Sequence, residues 1–262
     1  MVSGACEALG ALGLRADAAA PQLRNALLST DPWLQSLATQ SILTHGPAER
    51  KASVSDLLAL TVRVNPADPR RHPALFAGYP GVRAPRSILA DSLEGVDRAK
   101  FYPAIQALLK HEDSVARASV SKTYALLTDQ DLVRLLPDIV MAISRPAPSN
   151  EMWGFDIRVA GLDLVTRLGI REGMALCIST MEPDRWGNRK NECLAFLQRY
   201  GANAKPLLPK LKEVRDHLAN VKNASAAALA PFDQAIAAIE ASTAKPSLVN
   251  LKDFKSRPKS DP

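Results

Sequence analysis

Residues 20–31, APQLRNALLSTD, decide how this chain folds, because the same pattern returns later in the sequence. Residues 102–113, YPAIQALLKHED, match it at an offset of 82 positions, with the proline, the apolar residues and the closing Asp in register. Leu136-Pro137-Asp138-Ile139 repeats its opening 34 residues further on, and Leu208-Pro209-Lys210-Leu211 repeats it 72 residues beyond that. Four prolines on one lattice indicate a repeat architecture. We expect each proline to lie in the first turn of a helix, where its missing N–H is not needed.

The tryptophans mark a second lattice. Trp153-Gly154 and Trp186-Gly187 are 33 residues apart, and Trp33 holds the corresponding place in an earlier unit. Each tryptophan is expected to open a helix that a glycine closes; the pairs are Trp33 with Gly46, Trp153 with Gly169, and Trp186 with Gly201.

The apolar residues between these markers have helical spacing. Leu132, Leu136, Ile139 and Ile143 fall at i, i+4, i+7 and i+11, which is one stripe of a helix. A lone two-helix unit cannot bury such a stripe, whereas stacked units bury it against each other. The sequence therefore predicts an all-α fold, a right-handed α–α superhelix of about six helix pairs. The expected units are 2–30, 33–64, 86–111, 114–145, 152–182 and 186–220, followed by a last helix within 224–242.

Two stretches make a family resemblance visible. The first is Ala5-Cys6-Glu7-Ala8-Leu9-Gly10-Ala11-Leu12-Gly13 with Ala20-Pro21-Gln22-Leu23 and Asp31-Pro32, and the second is Asp113-Ser114-Val115-Ala116-Arg117-Ala118-Ser119-Val120. Both resemble bacterial HEAT repeats, and the resemblance extends roughly over residues 2–242. The C-terminal half also resembles the end of large, uncharacterised multidomain bacterial proteins. The resemblance implies a solenoid but no single activity, because HEAT arrays serve as scaffolds, as adaptors, as bilin-lyase relatives and, in one group, as DNA glycosylases.

Composition and charge narrow the class of protein. The 262 residues are 47% hydrophobic, 23% charged and only 5% aromatic, which excludes a mostly disordered chain and favours helices over a sandwich or barrel. Half of the net charge of +6 comes from residues 245–262, which carry five basic and two acidic side chains. Residues 1–242 are therefore expected to form the solenoid, and residues 243–262 to form a disordered basic tail. A polyanion partner is only weakly indicated by this charge distribution.

No catalytic or metal-binding motif is visible. The sequence contains no C-x-x-C, H-E-x-x-H, G-x-S-x-G or P-loop pattern, and its four histidines are scattered. We therefore expect no metal, no cofactor and no catalysis, with Cys6, Cys177 and Cys193 as core residues.

The first residues carry neither a signal peptide nor a polar capping helix. Met1-Val2-Ser3-Gly4 has no basic region and no long apolar run, so the default location is cytoplasmic and no membrane span is expected. Because solenoid ends need a polar cap, we expect another domain of a parent chain, or a second copy, to cover the first helix.

Residues 65–86 break the helical lattice and supply the first candidate binding residues. Five prolines and four arginines lie in this segment, which predicts an irregular insertion that presents Arg70, Arg71, Tyr79 and Arg83. Such a loop is suited to gripping a phosphate, a carboxylate or an acidic partner. A solvated insertion that binds nothing remains the alternative.

A second set of candidates is Trp153, Arg158, Trp186, Arg189 and Lys190, since Trp, Tyr and Arg dominate binding hot spots. The tryptophans have a simpler explanation as packing residues between units. The function predicted from the sequence is a non-catalytic protein-interaction scaffold or adaptor, a module of a larger protein. The alternative is a nucleic-acid-binding HEAT module, or less favourably a HEAT-type DNA glycosylase. A third interpretation is a purely structural carboxyl-terminal module of a larger enzyme.

Overall fold

The chain divides into two compact units, Met1–Leu127 and Thr128–Pro262. The prediction of a solenoid over residues 1–242 stays a prediction. A computed structural model describes residues 5–6, 18–29, 31, 34, 37–38, 41–42, 53, 93, 95–111, 117, 120–145, 154–181, 190–220 and 225–256. Within these ranges the regular structure is helical, apart from one isolated bridge between Ile170 and Val249. The all-α prediction is thereby confirmed.

The first unit contains helix α1 (Ala20–Leu27) and helix α2 (Arg98–Lys110), followed by a 3-10 helix over Ser121–Leu126. Asp97 caps α2, because its carboxylate accepts a hydrogen bond of 2.9 Å from the Ala99 amide.

In the described part of the second unit the chain forms six α-helices. They are α3 (Asp129–Ser144), α4 (Gly154–Arg167), α5 (Gly173–Thr180), α6 (Lys190–Arg199), α7 (Leu208–Ala219) and α8 (Ala226–Ala241), with 3-10 turns at Gly201–Leu207 and Leu251–Asp253. Helix α4 packs against α3, α5 and α6, while α8 packs against α6 and α7. The packing partners of each of these helices therefore lie one or two positions away in the order of helices.

Two of the four repeated prolines lie in the first turn of a helix, where the sequence predicts them, and two do not. Pro21 and Pro209 lie in the first turn of α1 and α7, as expected. Pro103 and Pro137 instead lie inside α2 and α3, which corrects the prediction for these two. The reason for Pro137 is a capping box upstream: the Thr128 hydroxyl accepts from the Asp131 amide, and the Asp131 carboxylate accepts from the Thr128 amide. The helix therefore begins well before the proline.

The predicted apolar stripe of α3 forms part of the core. Leu132, Leu136, Ile139 and Ile143 are all at most 1% exposed. All three cysteines are also buried, as expected, and carry free thiols. Burial raises the pKa of the Cys193 thiol to about 12, with the neighbouring Glu192 charge adding to the shift.

Gly169 ends α4 in the way its position in the sequence predicts. Its φ of 65° is left-handed, its amide donates to the Thr166 carbonyl at 3.0 Å, and the Ile170 amide donates to the Val165 carbonyl at 2.9 Å. This is the Schellman pattern, which favours glycine because a side chain is strained in that conformation. Gly201, with φ of 57°, holds the corresponding place after α6.

Candidate functional site

Most residues proposed from the sequence as binding residues lie outside the described part of the chain. These are Arg70, Arg71, Tyr79, Arg83, Trp153, Trp186 and Arg189. Of the same set, the structure describes Arg158 and Lys190. Lys190 is half-buried as the first residue of α6, where Glu192 supplies an acidic side chain in the same turn.

Arg158, one of the candidate binding residues, is buried in the structure. It is 2% exposed on α4, and its guanidinium donates a 2.8 Å hydrogen bond to the carbonyl of Arg145, the residue that caps the end of α3. A buried cation at the carboxyl end of a helix satisfies an unbonded carbonyl and interacts favourably with the helix dipole. Arg158 therefore joins α3 to α4.

Arg117 does the same in the first unit. It is 1% exposed, and its guanidinium donates at 2.6 Å to the carbonyl of His111, the residue that caps the end of α2. The two buried arginines use one structural device in different units. Their role is to stabilise helix ends, so an Arg early in a unit is not in itself a sign of a binding surface.

The segment after α8 is the main difference between the sequence-based expectation and the structure. Residues 243–262 were expected to be disordered, whereas residues 243–256 lie in the structure as an extended strap along the second unit. The strap is held by hydrogen bonds at three places, which explains why a polar segment with few apolar residues takes a fixed path. Residues 257–262 lie outside the described part.

The first contact of the strap is at the turn after α6. The Ala202 amide donates to the Ala244 carbonyl at 2.7 Å, and the Asn203 side-chain amide donates to the Pro246 carbonyl at 2.8 Å. Both acceptors are backbone oxygens of the strap. The hydrogen bonds between this turn and the strap therefore involve no side chain of the strap.

The second contact is at the equivalent turn after α4. Val249 pairs with this turn through both of its backbone groups: its amide donates to the Gly169 carbonyl at 2.9 Å, and its carbonyl accepts from the Arg171 amide at 2.9 Å. This is the parallel bridge between Val249 and Ile170. The strap thus adds one residue of β pairing to a helical turn.

The third contact fixes the end of the strap. The Leu251 amide donates to both carboxylate oxygens of Glu172, at 3.1 and 3.0 Å. The short 3-10 helix Leu251–Asp253 then packs against α3, and Phe254 is 6% exposed. Phe254 is the buried side chain of the segment 243–256. We call residues Gly169–Glu172 and Gly201–Asn203 together the docking strip.

One sequence signal for the strap was overlooked. Leu248, Val249, Leu251 and Phe254 are apolar residues within an otherwise polar tail. The two glycines were correctly expected to close helices. Nothing in their spacing specifies that a distant segment lies over them.

Exposed charges of the second unit form pairs between helices. Asp163 on α4 contacts Arg199 on α6 at 3.0 Å, Lys212 on α7 contacts Glu240 on α8 at 2.8 Å, and Arg215 contacts Asp233 at 3.0 Å. Within single helices, Arg167 contacts Asp163 and Arg215 contacts Asp216. Each of these basic side chains therefore has an acidic partner.

Helix α3 exposes a short apolar row. Val133 is 46% exposed and Met141 is 39% exposed, and the exposed Pro137 lies between them at helical spacing. Isolated exposed apolar residues are common on protein surfaces, and these three lie on one face of α3.

Comparison of the chain with protein-family models, with curated proteins and with solved structures finds no match. In the part of the chain that the structure describes, no group of His, Cys, Asp and Glu side chains is arranged to hold a metal ion. Among the same residues, no helix has the length and apolar character needed to cross a membrane.

Proposed function

We propose that this chain is a non-catalytic protein-interaction scaffold or adaptor. The observation that carries the proposal is the pairing of exposed charges on the second unit, where Arg199, Lys212 and Arg215 each contact a carboxylate of another helix. A nucleic-acid surface concentrates unpaired basic side chains along one face to replace phosphate counterions. A surface of mixed charge is instead typical of proteins that bind other proteins.

We further propose that the helices are HEAT-type pairs in a right-handed superhelix. The first helices of two successive pairs begin at Gly154 and Lys190, and the second helices begin at Gly173 and Leu208. These steps of about 35 residues are near the ~40 residues of a HEAT unit. The packing of α4 against both α5 and α6, and the matching left-handed glycines after α4 and α6, support the same arrangement.

A second candidate function is binding of nucleic acid. It is favoured by the net charge of +6 and by the basic-aromatic stretch that ends at Lys190. The two functions differ in how they respond to salt and to loss of this stretch.

Fluorescence anisotropy separates the two functions. The full chain and an Arg189→Ala/Lys190→Ala variant are titrated into labelled duplex and single-stranded DNA, at low and at near-physiological salt. A scaffold binds weakly at low salt, loses that binding at the higher salt, and behaves the same in both forms. Binding that survives the higher salt and falls in the variant would replace the scaffold proposal with the nucleic-acid one.

The apolar row on α3 supplies a direct test of protein binding. Val133→Ser/Met141→Gln removes its two large side chains, while Gln130→Ala changes an exposed polar residue of the same helix. We expect the first variant to recover a crosslinked protein partner from host extract at least fivefold less well than wild type, and Gln130→Ala to match wild type. Equal recovery by all three would remove α3 from the proposed interface.

A further inference from the structure

The strap is bound to the second unit as an extended peptide is bound to a receptor. Its contacts with the docking strip are made by its own backbone: the Ala244 and Pro246 carbonyls, both backbone groups of Val249, and the Leu251 amide. Recognition through backbone groups gives affinity with little dependence on sequence, as in other modes of β-strand addition.

The docking strip is shaped for a backbone that approaches closely. A Cβ atom placed on Gly169 would lie 2.7 Å from the Ser247 carbonyl oxygen, and one placed on Gly201 would collide with the Ala244 carbonyl oxygen. The two glycines thus have a second role besides ending helices. The glycine turns after α4 and α6 therefore both contact the backbone of the strap.

Most residues of the strap are exposed or half-buried. Its residues 243–247 are exposed, Leu248 to Leu251 are half-buried, and Phe254 alone among 243–256 is buried. Segments with few buried apolar contacts and solvent-accessible hydrogen bonds open at a small fraction of the global unfolding free energy. The strap therefore leaves the strip far more readily than a helix leaves the core.

We propose that the docking strip is a binding site for extended segments of partner proteins, and that residues 243–256 are its intramolecular occupant, which a partner segment displaces. The inference rests on the proposed scaffold function and names its partner class. The fitting segment has extended backbone opposite Gly201 and Gly169, an amide N–H for Glu172, and an aromatic side chain three residues after that amide, where Phe254 lies.

The test measures binding of a labelled peptide, TAKPSLVNLKDFKS, which is residues 243–256, to the full chain. The substitution Leu251→Pro releases the attached strap, because it removes the amide N–H that donates to the Glu172 carboxylate. It changes no residue of the docking strip. Asn250 already has φ of −71° and ψ of 147°, the extended backbone that a following proline requires. Lys252→Ala, at an exposed strap position, is the matched control.

We expect the peptide to bind the Leu251→Pro chain at least tenfold more tightly than wild type or Lys252→Ala, because an attached strap competes at a millimolar effective concentration. A peptide with Phe254→Ala should bind at least tenfold more weakly. Equal binding by the Leu251→Pro and wild-type chains, or equal binding of the two peptides, would overturn the proposal. Circular dichroism checks that the helices persist. If Leu251→Pro unfolds, the full-chain Phe254→Ala variant, which also changes only the strap, replaces it.

A strip variant completes the experiment. Gly201→Ala in the Leu251→Pro background places a methyl group where the Ala244 carbonyl lies, so peptide binding should fall at least tenfold. Retained binding would place the peptide elsewhere and overturn the assignment. Peptide binding to the strip is measured separately from DNA binding and partner recovery. The peptide experiment can therefore contradict the proposed docking strip while the scaffold function is supported. DNA binding and partner recovery can likewise contradict the scaffold function while the peptide still binds the strip.

Discussion

The stability of Arg158 variants distinguishes a role in the packing of α3 and α4 from a role in binding at the surface. In Arg158→Met the aliphatic stem is kept and the guanidinium is lost, so the Arg145 carbonyl at the end of α3 loses its 2.8 Å donor. Loss of a hydrogen bond to a charged group costs about 1.5–3 kcal/mol, and we expect the free energy of unfolding to fall by about 2–3 kcal/mol once the lost interaction with the helix dipole is included. Arg158→Ala also removes two buried methylenes at ~0.8 kcal/mol each, so its loss should reach about 4 kcal/mol.

The assay is urea denaturation followed by far-ultraviolet circular dichroism. Arg199→Met is the matched control: Arg199 pairs with Asp163 on the surface, where an ion pair contributes only ~0.2–1 kcal/mol. The reasoning is refuted if the free energy of unfolding of Arg158→Met lies within about 0.5 kcal/mol of the wild-type value, because ordinary surface substitutions fall in that range. A simultaneous loss of ligand binding would then restore Arg158 as a surface anchor.

Three further predictions concern the second unit. Thr128→Ala should cost about 1 kcal/mol in urea unfolding because the capping box with Asp131 is lost, whereas Thr128→Ser should match wild type. Gly173→Ala should cost about 1–3 kcal/mol, since its Cβ would overlap the Tyr200 hydroxyl; a gain of stability, as is usual for Gly→Ala in a helix, would contradict this packing. Burial raises the folded-state pKa of Cys193 to about 12, above its ordinary value of 9.0, so stability is retained below pH 9 and falls as the pH rises toward 12. Urea titrations at pH 7, 9 and 10 check the sign, and rapid labelling of this thiol in the native state at pH 8 would contradict it.

Helical periodicity was sufficient to predict the fold class. The stripe from Leu132 to Ile143 is buried, and α4 and α5 lie within the range 152–182 assigned to one helix pair. Such predictions succeed because the apolar spacing is a property of the local sequence. The proline lattice was less reliable, since the capping residue Thr128, and not Pro137, sets the start of α3.

The candidate site was harder to predict because it depends on contacts between distant residues. Arg158 was assigned to a surface from its residue type, while its burial depends on how α4 packs against α3. The strap was assigned to disorder from composition, although Leu251 contacts Glu172, far away in the sequence. The apolar residues of the tail are a local signal, but the local sequence does not specify the distant partner in either contact. The interpretation of Arg70, Arg71, Tyr79 and Arg83 stays a prediction.

Hydrogen exchange of the full chain tests the account most directly, because a docked strap and a disordered tail exchange differently. The informative amides are Val249 and Leu251 in the strap, which donate to Gly169 and Glu172. Docking predicts that both exchange at least tenfold more slowly than in the isolated peptide of residues 243–256, and that Leu251→Pro returns Val249 to the peptide rate. Exchange of Val249 and Leu251 at the peptide rate in the wild-type chain would contradict the docked strap, and with it the proposed docking strip.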